Sequence, residues 1–456
     1  MAVLSAPPDS ADKPIATPAV QLSKPQSFIT SVIKKLAICL AIVLCAVWYA
    51  SAHFYRDPGS AFFDSTRAFE YRYSAHRLSE IQPLMTDDDA TSHQGNFTKA
   101  GVDPAICLVL TSVKRERTQY LETTVASILH GLSEVERENL YINVLIAETD
   151  PARHPVWHRD WIRNAVDSMH SYDNVTSQEI DWLTGMIDSK DYQAKGVFDY
   201  VYGLQSCYEA SDAPYIAMFE DDILMADGWL VRTLLNLQKL PPPAPSAPRG
   251  TGSDHPTSSW LFMRLFNQER STGWEKRYIG GNNEHLIGLG LGIAILSAWQ
   301  MARSQSRSVR AQIDPITVGI FAFIFVPSMV VLFFQCGKAS LLPPSPGVAA
   351  EPFGCCSQAL VFPREQIPSL ARYLSSWGRG QIDLLLRHRA LSSKLDTYSM
   401  YPVMAQHLGL DSARMTDEAE AQAIWSMAFE DLDPQMLALT HGAMVDKYEE
   451  AYMYGF

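Results

Sequence analysis

Three consecutive carboxylates, Glu220, Asp221 and Asp222, end the apolar stretch YIAMFEDDI at residues 215–223. Carboxylates this close repel one another, so the arrangement requires either a compensating cation or an exposed surface. Oxygen ligands at the end of a strand suit a hard divalent cation, Mg²⁺ or Mn²⁺, which also binds substrate phosphates. The alternative is a solvated acidic turn. The apolar strand before the carboxylates favours a metal bridge to a diphosphate.

The sequence around this acidic turn alternates apolar strands with helical stretches. The strand patterns begin at 106 (ICLVLTSVKR), 141 (YINVLIAETD) and 215, and the helical patterns cover 118–132 and 199–210. Such alternation predicts an open α/β sheet with helices on both faces. Ligands bind such sheets beyond the carboxyl ends of the strands, where Asp150 and the acidic turn are both placed.

Three apolar segments interrupt or precede this domain. The first, residues 36–54 (LAICLAIVLCAVWYASAHF), has no charged residue and is long enough to span a bilayer as a helix. Lys34 and Lys35 precede it, so residues 1–35 are predicted to be a cytosolic tail. A cleaved signal peptide is the alternative, and the long Pro/Ser-rich lead disfavours it. Residues 36–54 are therefore predicted to be a transmembrane signal anchor.

The other two apolar segments, 286–302 and 316–334, predict a transmembrane hairpin over 286–334. The loop between them, 303–315, carries three arginines and is therefore predicted to be cytosolic. Gly288 and Gly292 form a small-residue pair that allows two helices to approach closely. Pro327 predicts a kink. The alternative is a pair of buried core helices, which the arginine loop disfavours.

This topology places residues 55–285 and 335–456 in the lumen of the secretory pathway. Residues 55–100 are polar and predict an irregular lumenal stem. The sequons at Asn96 and Asn174 become glycosylation acceptors there.

The lumen is oxidising, which bears on the seven cysteines of the chain. Cys355 and Cys356 are candidates for a vicinal disulfide and Cys107 and Cys207 for a second one. Free thiols are the alternative, and the sequence leaves the pairing open.

The composition of the chain argues against one class of binding partner. The 456-residue chain is nearly half apolar and carries a formal net charge of −13. It has no basic, aromatic-rich stripe, which argues against a nucleic-acid partner.

Several motifs resemble one enzyme family. FEDDI resembles the DxD-type motif of GT-A glycosyltransferases. GQIDLLLRHR (380–389) and YPVMAQHLGLDSAR (401–414) are similar to blocks of the N-glycan GlcNAc transferase IV group and of the Golgi GPI N-acetylgalactosamine transferase family (post-GPI attachment to proteins factor four-like). Only the latter family interrupts its GT-A domain with a transmembrane hairpin, so the chain most resembles that family over roughly residues 100–450.

The resemblance implies a GT-A-like α/β domain in two parts. Residues 101–285 would be the nucleotide-sugar-binding part and 335–456 the acceptor and catalytic part, with the hairpin between them. The implied location is the Golgi membrane, multi-pass, with a lumenal catalytic domain and contact with membrane lipid.

The resemblance also implies roles for single residues. Asp222 and Glu220 would hold Mn²⁺ (or Mg²⁺) against the diphosphate, Asp221 would shape the turn, and His407 would approach the metal from the carboxyl-terminal half. Asp383 would be the general base, although Gly380-Gln381 replaces the basic-Pro lead usual in the family. The alternatives are a helix N-cap for Asp383 and a surface histidine for His407.

A second set of residues would bind the nucleotide sugar. Thr111 lies in the first strand, Arg115 and Arg117 are candidates to pair with phosphate, and Asp150 is a candidate contact to uridine.

The implied activity is metal-dependent, inverting transfer of a sugar from a UDP-sugar donor to a mannose of a GPI-anchored acceptor. N-acetylgalactosamine is the sugar that the family implies, but the residues alone do not distinguish it from other hexoses. The alternatives are an N-glycan branching N-acetylglucosaminyltransferase and, as a non-enzyme, a membrane glycan-binding scaffold.

Overall fold

A computed structural model describes residues 24–86, 99–242, 259–274, 282–351, 354–411 and 417–454. The predicted acceptor Asn96 lies outside the described residues. The chain divides into two compact units, residues 1–51 with 279–333, and residues 52–278 with 334–456. The first contains the apolar segments and the second contains the predicted α/β domain.

The described part of the second unit has ten strands: β1 (Ile106–Ser112), β2 (Leu140–Ile146), β3 (Ser168–His170), β4 (Tyr215–Glu220), β5 (Ile223–Met225), β6 (Trp260–Arg264), β7 (Gly347–Ala350), β8 (Ala359–Pro363), β9 (Asp396–Tyr401) and β10 (Ala405–His407). Eight of them form one mixed sheet in the order β3-β2-β1-β4-β8-β6-β9-β7. The half β3-β2-β1-β4 is parallel, and β8 joins it antiparallel to β4. β5 and β10 form a separate antiparallel ribbon.

The α-helices among the described residues are, in chain order, α1 (Lys24–His53), α2 (Tyr73–Thr86), α3 (Leu121–Leu129), α4 (Glu134–Glu138), α5 (Asp160–Ala165), α6 (Ser177–Asp188), α7 (Tyr192–Ala210), α8 (Trp229–Leu237), α9 (Glu284–Gln305), α10 (Arg307–Gln312), α11 (Pro315–Ile320), α12 (Val326–Gln335), α13 (Lys338–Leu341), α14 (Ile367–Trp377), α15 (Ile382–Ser393), α16 (Glu418–Gln422), α17 (Met427–Glu430) and α18 (Pro434–Tyr454). Short 3₁₀ turns occupy Pro151–Arg153, Pro155–His158, Glu269–Thr272 and Arg364–Gln366.

Helices cover both faces of the sheet, as the alternating sequence predicts. Because neighbouring residues of a strand point to opposite faces, each strand contributes to two cores. One core is shared with α3, α8 and α18, and the other with α7, α14 and α15. A disulfide between Cys107 of β1 and Cys207 of α7 joins the sheet to the second layer, a pairing that the sequence left open.

The predicted irregular stem differs from the structure. Residues 73–86 form α2, whose Tyr73 and Ile81 are buried in the core of the larger unit. The guanidinium of Arg77, only 1% exposed, donates to the main-chain carbonyls of Met225, Ser127 and His130. The sequence is polar here because the residue that secures the helix is an arginine, which is paired with Glu80 and with carbonyl groups of the main chain.

Among the described residues, three helical stretches are long and apolar enough to cross a membrane: Phe28–His53, Glu284–Gln305 and Pro315–Gln335. They coincide with the three predicted segments. The last one consists of α11, a π-helical turn at Phe321–Phe325 and α12. The π turn comes just before Pro327, which has no N–H to donate to the preceding turn.

Small residues bring α9 close to the third apolar stretch. A Cβ atom on Gly292 would come within 2.5 Å of the carbonyl oxygen of Ala322, and one on Gly288 within 3.2 Å of Pro327. The predicted role of this glycine pair is therefore confirmed for helix packing. At the other end of these helices, Lys35 Nζ lies 2.7 Å from Asp314 Oδ2. The ion pair joins the residues before the first segment to the loop 303–315.

Candidate active site

The acidic turn lies where β4 ends and β5 begins, at the carboxyl end of a central strand. The hydroxyl of Thr124 on α3 donates to the main-chain oxygens of Asp221 (2.6 Å) and Ile223 (2.7 Å). These bonds satisfy carbonyl groups that the tight turn would otherwise leave unpaired. The turn is therefore secured from the neighbouring helix.

A buried cation compensates two of the three carboxylates. Arg115 donates from Nη1 to Asp221 Oδ2 (2.6 Å), and from Nη2 to Asp221 Oδ1 (2.7 Å) and Asp222 Oδ2 (2.9 Å). Burial lowers the pKa of Arg115, but the carboxylates of Asp221 and Asp222 outweigh it and the net pKa is raised. The alternative of a solvated acidic turn is therefore wrong for these two residues.

This pairing corrects two sequence-based expectations. Arg115 holds carboxylates rather than facing a phosphate, because two buried negative charges need a cation that cannot be deprotonated. Asp221 shapes the turn as expected, but both of its oxygens are occupied by Arg115 and one also by the Ser112 hydroxyl. We therefore remove Asp221 from the metal-ligand set.

His407 approaches the acidic turn from the carboxyl-terminal half, through the ribbon of β5 and β10. It pairs with Ile223, and its Nε2 lies 3.5 Å from Asp222 Oδ2. His407 is 8% exposed, so the alternative of a surface histidine is wrong. Burial lowers the pKa of His407, but Asp222 and Glu220 outweigh it and the pKa is raised.

The residues around Asp222 fit a divalent cation. They offer carboxylate oxygen and imidazole nitrogen, which bind Mn²⁺. Gly409 packs directly against them, since a Cβ there would lie 2.1 Å from Asp222 Oδ2 and would clash with it. In the described part of the chain, no three His, Cys, Asp or Glu side chains form a ready-made metal cage. A cation that completes its shell with water and phosphate needs no such cage.

Glu220 lies on the other side of the turn from Arg115. Its Oε1 accepts a 2.8 Å hydrogen bond from Ser357 Oγ, and its main-chain N–H donates to the carbonyl of Gln358. The charge of Glu220 raises the pKa of both His407 and Tyr200.

Asp383 is half-buried in the first turn of α15. The N-cap of this helix is Gln381, so the N-cap alternative for Asp383 is wrong. Among the described residues, no hydrogen bond or ion pair joins Asp383 to the acidic turn. Its carboxylate is instead the strongest charge acting on Arg264, at the end of β6.

The remaining predicted nucleotide-sugar residues occupy loops around this edge of the sheet. Arg117 is exposed, and its main-chain N–H donates to Asp411 Oδ2 at 2.8 Å. Thr111 is half-buried at the end of β1. Asp150 is exposed and caps the 3₁₀ turn at Pro151–Arg153. Asn174, the predicted glycosylation acceptor, is exposed.

The structure also contains the vicinal disulfide Cys355–Cys356, immediately before Ser357 and β8. Sequence reasoning left this pairing open. The free cysteines among the described residues are Cys39, Cys45 and Cys336.

Sequence reasoning missed several residues of the site. His154 is fully buried, with its Nε2 3.1 Å from Ser112 Oγ, and Ser112 in turn donates to Asp221. Arg264 and Tyr200 are also buried beside the acidic turn. None of them stands in a recognisable motif, since each reaches the site only through strand pairing or helix packing.

Several solved structures are similar to this chain at low sequence identity. Among solved structures, mouse xyloside xylosyltransferase 1 in its apo form is 10% identical (TM-score 0.27; 70% of this chain and 81% of that chain covered). Mannosyltransferase PcManGT from Pyrobaculum calidifontis, in complex with GDP-Man and Mn²⁺, is 10% identical (TM-score 0.28; 83% and 85%). The mannosyltransferase Ktr4p from S. cerevisiae, in complex with GDP, is 11% identical (TM-score 0.24; 88% and 97%).

A search of curated protein sequences found no match. The family model described as GPI-N-acetylgalactosamine transferase PGAP4 matches residues 106–406, well over half of the chain. The matched region runs from β1 through the acidic turn, both later apolar stretches and Asp383 to β10. The chain therefore belongs to the GPI-N-acetylgalactosamine transferase PGAP4 family and is a glycosyltransferase.

Proposed function

We propose that this protein transfers N-acetylgalactosamine from UDP-N-acetylgalactosamine to a mannose of the GPI-anchor glycan, with inversion and with Mn²⁺. The observation that carries the proposal is the family match, which continues across both later apolar stretches and the acidic turn. The proposed setting is the Golgi membrane, with a GT-A-like catalytic domain in the lumen formed by residues 101–285 and 335–456.

Asp222 and His407, with Glu220 beside them, are the residues that would hold the cation. When bound, Mn²⁺ neutralises the charge that develops on the departing diphosphate. Arg115 orients Asp222 by donating to its Oδ2. Because β5 and β10 are paired, the histidine and the carboxylate come from distant parts of the chain into one rigid ribbon.

Asp383 is the proposed general base. It lies on α15, in the carboxyl-terminal part of the domain, and the acceptor hydroxyl would transfer its proton to this carboxylate as the oxygen attacks the anomeric carbon. The attack and the departure of the diphosphate occur on opposite faces of the sugar, which inverts the anomeric centre. No covalent sugar–enzyme bond is formed.

Membrane attachment supports a membrane-embedded acceptor. The chain has three stretches that are long and apolar enough to cross a bilayer. A GPI-anchored protein is held in the membrane by its lipid. Confining enzyme and acceptor to the same surface raises their effective concentration.

The test is a transfer assay on the full chain in detergent. UDP-N-acetylgalactosamine, UDP-N-acetylglucosamine and UDP-galactose are each offered with a GPI glycan or an N-glycan, in Mn²⁺ or in chelator. We expect transfer from the first donor to a GPI mannose, in Mn²⁺ only. Transfer of N-acetylglucosamine to the N-glycan would favour the alternative of a branching transferase. Binding of glycan without turnover would favour the alternative of a glycan-binding scaffold. Equal activity in chelator would overturn the metal mechanism.

A further inference from the structure

In one group of polar side chains, each member has a buried polar atom without a hydrogen-bond partner among the described residues. They lie on the α7 side of the sheet, at the same edge as the acidic turn. Each has a buried atom that makes no hydrogen bond within the described ranges: Thr111 Oγ1, Tyr200 Oη, Arg264 Nε and Gln358 Oε1. We refer to these four residues as the buried polar cluster.

Strand pairing brings the cluster together around Glu220. Thr111 lies opposite Glu220 in the β1–β4 register, and the Gln358 carbonyl accepts from the Glu220 N–H at 2.9 Å. Arg264 lies opposite Leu360, two residues beyond Gln358. The charges of Glu220 and Arg264 both act on Tyr200, which enters from α7.

Arg264 is the least expected member. It is 4% exposed, and its one hydrogen bond from the guanidinium goes to the carbonyl oxygen of Cys356. Among the described residues no carboxylate is within ion-pair distance of it. Burial lowers its pKa to about 10. Gly354 packs closely against it, since a Cβ there would come within 2.8 Å of Nε.

Unpaired buried polar atoms are costly and therefore rare in native proteins. Four such atoms lie on one face of the sheet, next to the proposed sites of the diphosphate and the base. A ligand that forms hydrogen bonds with them accounts for all four. Thr111, Glu220 and Ser357 are half-buried and form the rim through which a ligand enters. Tyr200, Arg264 and Gln358 are more than nine-tenths buried and form the floor.

The chemistry of the cluster selects a neutral ligand over a phosphate. The Glu220 carboxylate and the acceptor Gln358 Oε1 would repel an anion. An acetamido group has one N–H to donate and one carbonyl to accept. Gln358 Oε1 can accept a hydrogen bond from the N–H of the acetamido group, and Arg264 Nε–H can donate one to its carbonyl. Burial raises the pKa of Tyr200 well above 10, so its phenol keeps a proton to donate.

We infer that the buried polar cluster holds the acetamido group of the transferred sugar and thereby selects an N-acetylhexosamine over a hexose. This inference rests on the proposed function, since it assigns the sugar subsite of the same active site. A hexose has a hydroxyl in place of the acetamido group. It would leave the buried polar atoms of Tyr200, Arg264 and Gln358 without hydrogen-bond partners.

The test compares UDP-N-acetylgalactosamine with UDP-galactose for wild type, Tyr200→Phe and Gln358→Leu, using the full chain in detergent with Mn²⁺. The readouts are kcat/KM for transfer to a GPI mannose and equilibrium binding of each nucleotide sugar and of UDP. We expect the preference for the acetamido donor to fall about tenfold in Tyr200→Phe and about ten- to hundredfold in Gln358→Leu. UDP affinity should be unchanged.

Two matched controls carry the same substitutions elsewhere. Tyr172→Phe alters a tyrosine that, like Tyr200, is 6% exposed, but whose hydroxyl donates to Asp199 at 2.6 Å. Gln366→Leu alters a fully buried glutamine beside Trp260. Both should lower thermal stability and leave the donor preference intact. By contrast, Tyr200→Phe removes an unpaired hydroxyl and should not lower stability.

The results distinguish failure of this inference from failure of the proposed function. A wild-type protein that transfers sugar but shows no preference, or variants that keep the wild-type preference, would overturn the inference and leave the proposed function standing. A wild-type protein that neither binds nor transfers from either donor would overturn the proposed function, and the inference with it.

Discussion

Asp221 and Asp222 are adjacent in sequence but have different surroundings. Asp221 is bonded through both oxygens to Arg115 and accepts from Ser112 as well. Asp222 shares a single nitrogen of the same arginine, faces His407 and lies directly against Gly409. One carboxylate therefore stabilises the turn, and the other is positioned for a ligand.

This difference predicts opposite consequences for the same substitution. Asp222→Asn should lower transfer at least about a hundredfold, because it removes the proposed metal carboxylate, while Arg115 keeps its two bonds to Asp221. Asp221→Asn leaves a buried arginine undercompensated and should cost about 3–5 kcal/mol of folding stability. Thermal unfolding and transfer assays on both variants distinguish the roles. A larger stability loss in Asp222→Asn than in Asp221→Asn would contradict the assignment.

Asp383 is tested by a substitution that keeps its size. If it is the base, Asp383→Asn cannot accept the hydroxyl proton, and transfer should fall about a hundred- to ten-thousandfold. UDP binding with Mn²⁺ should be nearly normal, because the base lies on the acceptor side. Glu351→Gln is the control, since Glu351 is another carboxylate whose charge acts on Arg264. Near-wild-type transfer by folded Asp383→Asn would remove this residue from the site.

At the scale of elements, close packing of α9 depends on where its glycines face. A Cβ on Gly292 would lie 2.5 Å from the Ala322 carbonyl, whereas one on Gly290 would meet nothing within 4 Å. Gly292→Ala should therefore lower the thermal stability of the detergent-solubilised protein. Gly290→Ala adds the same methyl group and should be neutral or stabilising, because alanine favours helix. Equal effects of the two variants would contradict the observed packing.

The carboxyl-terminal helix α18 is held by a titratable pair. His441 Nε2 lies 2.7 Å from Glu136 Oε2 on α4, and its Nδ1 lies 3.6 Å from Asp227 Oδ1. The hydrogen bond with Glu136 raises the pKa of His441, against opposing effects of burial and of Arg232. Burial raises the pKa of Glu136, but His441 and the main-chain N–H groups of Ser133 and Val231 together outweigh it and the pKa is lowered.

The direction of both shifts sets a pH window. A raised histidine pKa means that the pair stabilises the fold fully below about pH 6.5 and loses this contribution as the pH rises through the folded-state pKa. The lowered pKa of Glu136 means that its contribution is lost as the pH falls below about 4.5. His441→Gln should therefore lower the melting temperature markedly at about pH 6 and little at about pH 8.5. A constant difference across this range would show that the histidine acts only by packing.

At the scale of the whole molecule, orientation in the membrane decides which residues meet the lumen. Lys35 and Asp314 form an ion pair, which joins the end before the first apolar helix to the loop 303–315. A common side for these two regions agrees with the predicted cytosolic location of both.

N-glycosylation of wild-type and variant protein tests this orientation in the membrane. Wild-type protein should carry a glycan at Asn174, which is exposed in the structure and preceded by one apolar span. A sequon introduced within 303–315 should remain unmodified in membrane-integrated protein. Asn174→Gln should shift the mobility of the wild-type protein by one glycan. Efficient modification of the 303–315 sequon would overturn the hairpin.

The sequence by itself determined the features that depend on local pattern. The three apolar helices follow from their length without charge, the parallel half of the sheet from alternating strands and helices, and the helix contact from Gly288 and Gly292. The position of the acidic turn at the end of β4 was also predictable, because three adjacent carboxylates interrupt an apolar strand and require compensation.

Only the tertiary structure decided how the carboxylates are compensated and what surrounds them. Arg115 was predicted to face a phosphate, and the structure pairs it with Asp221 and Asp222 because burial makes their unpaired charges too costly. His407 reaches Asp222 through a ribbon that joins residues far apart in the chain. Arg264 and Gln358 meet on one sheet face only through strand register. Such positions follow from long-range pairing, which the pattern of neighbouring residues does not encode.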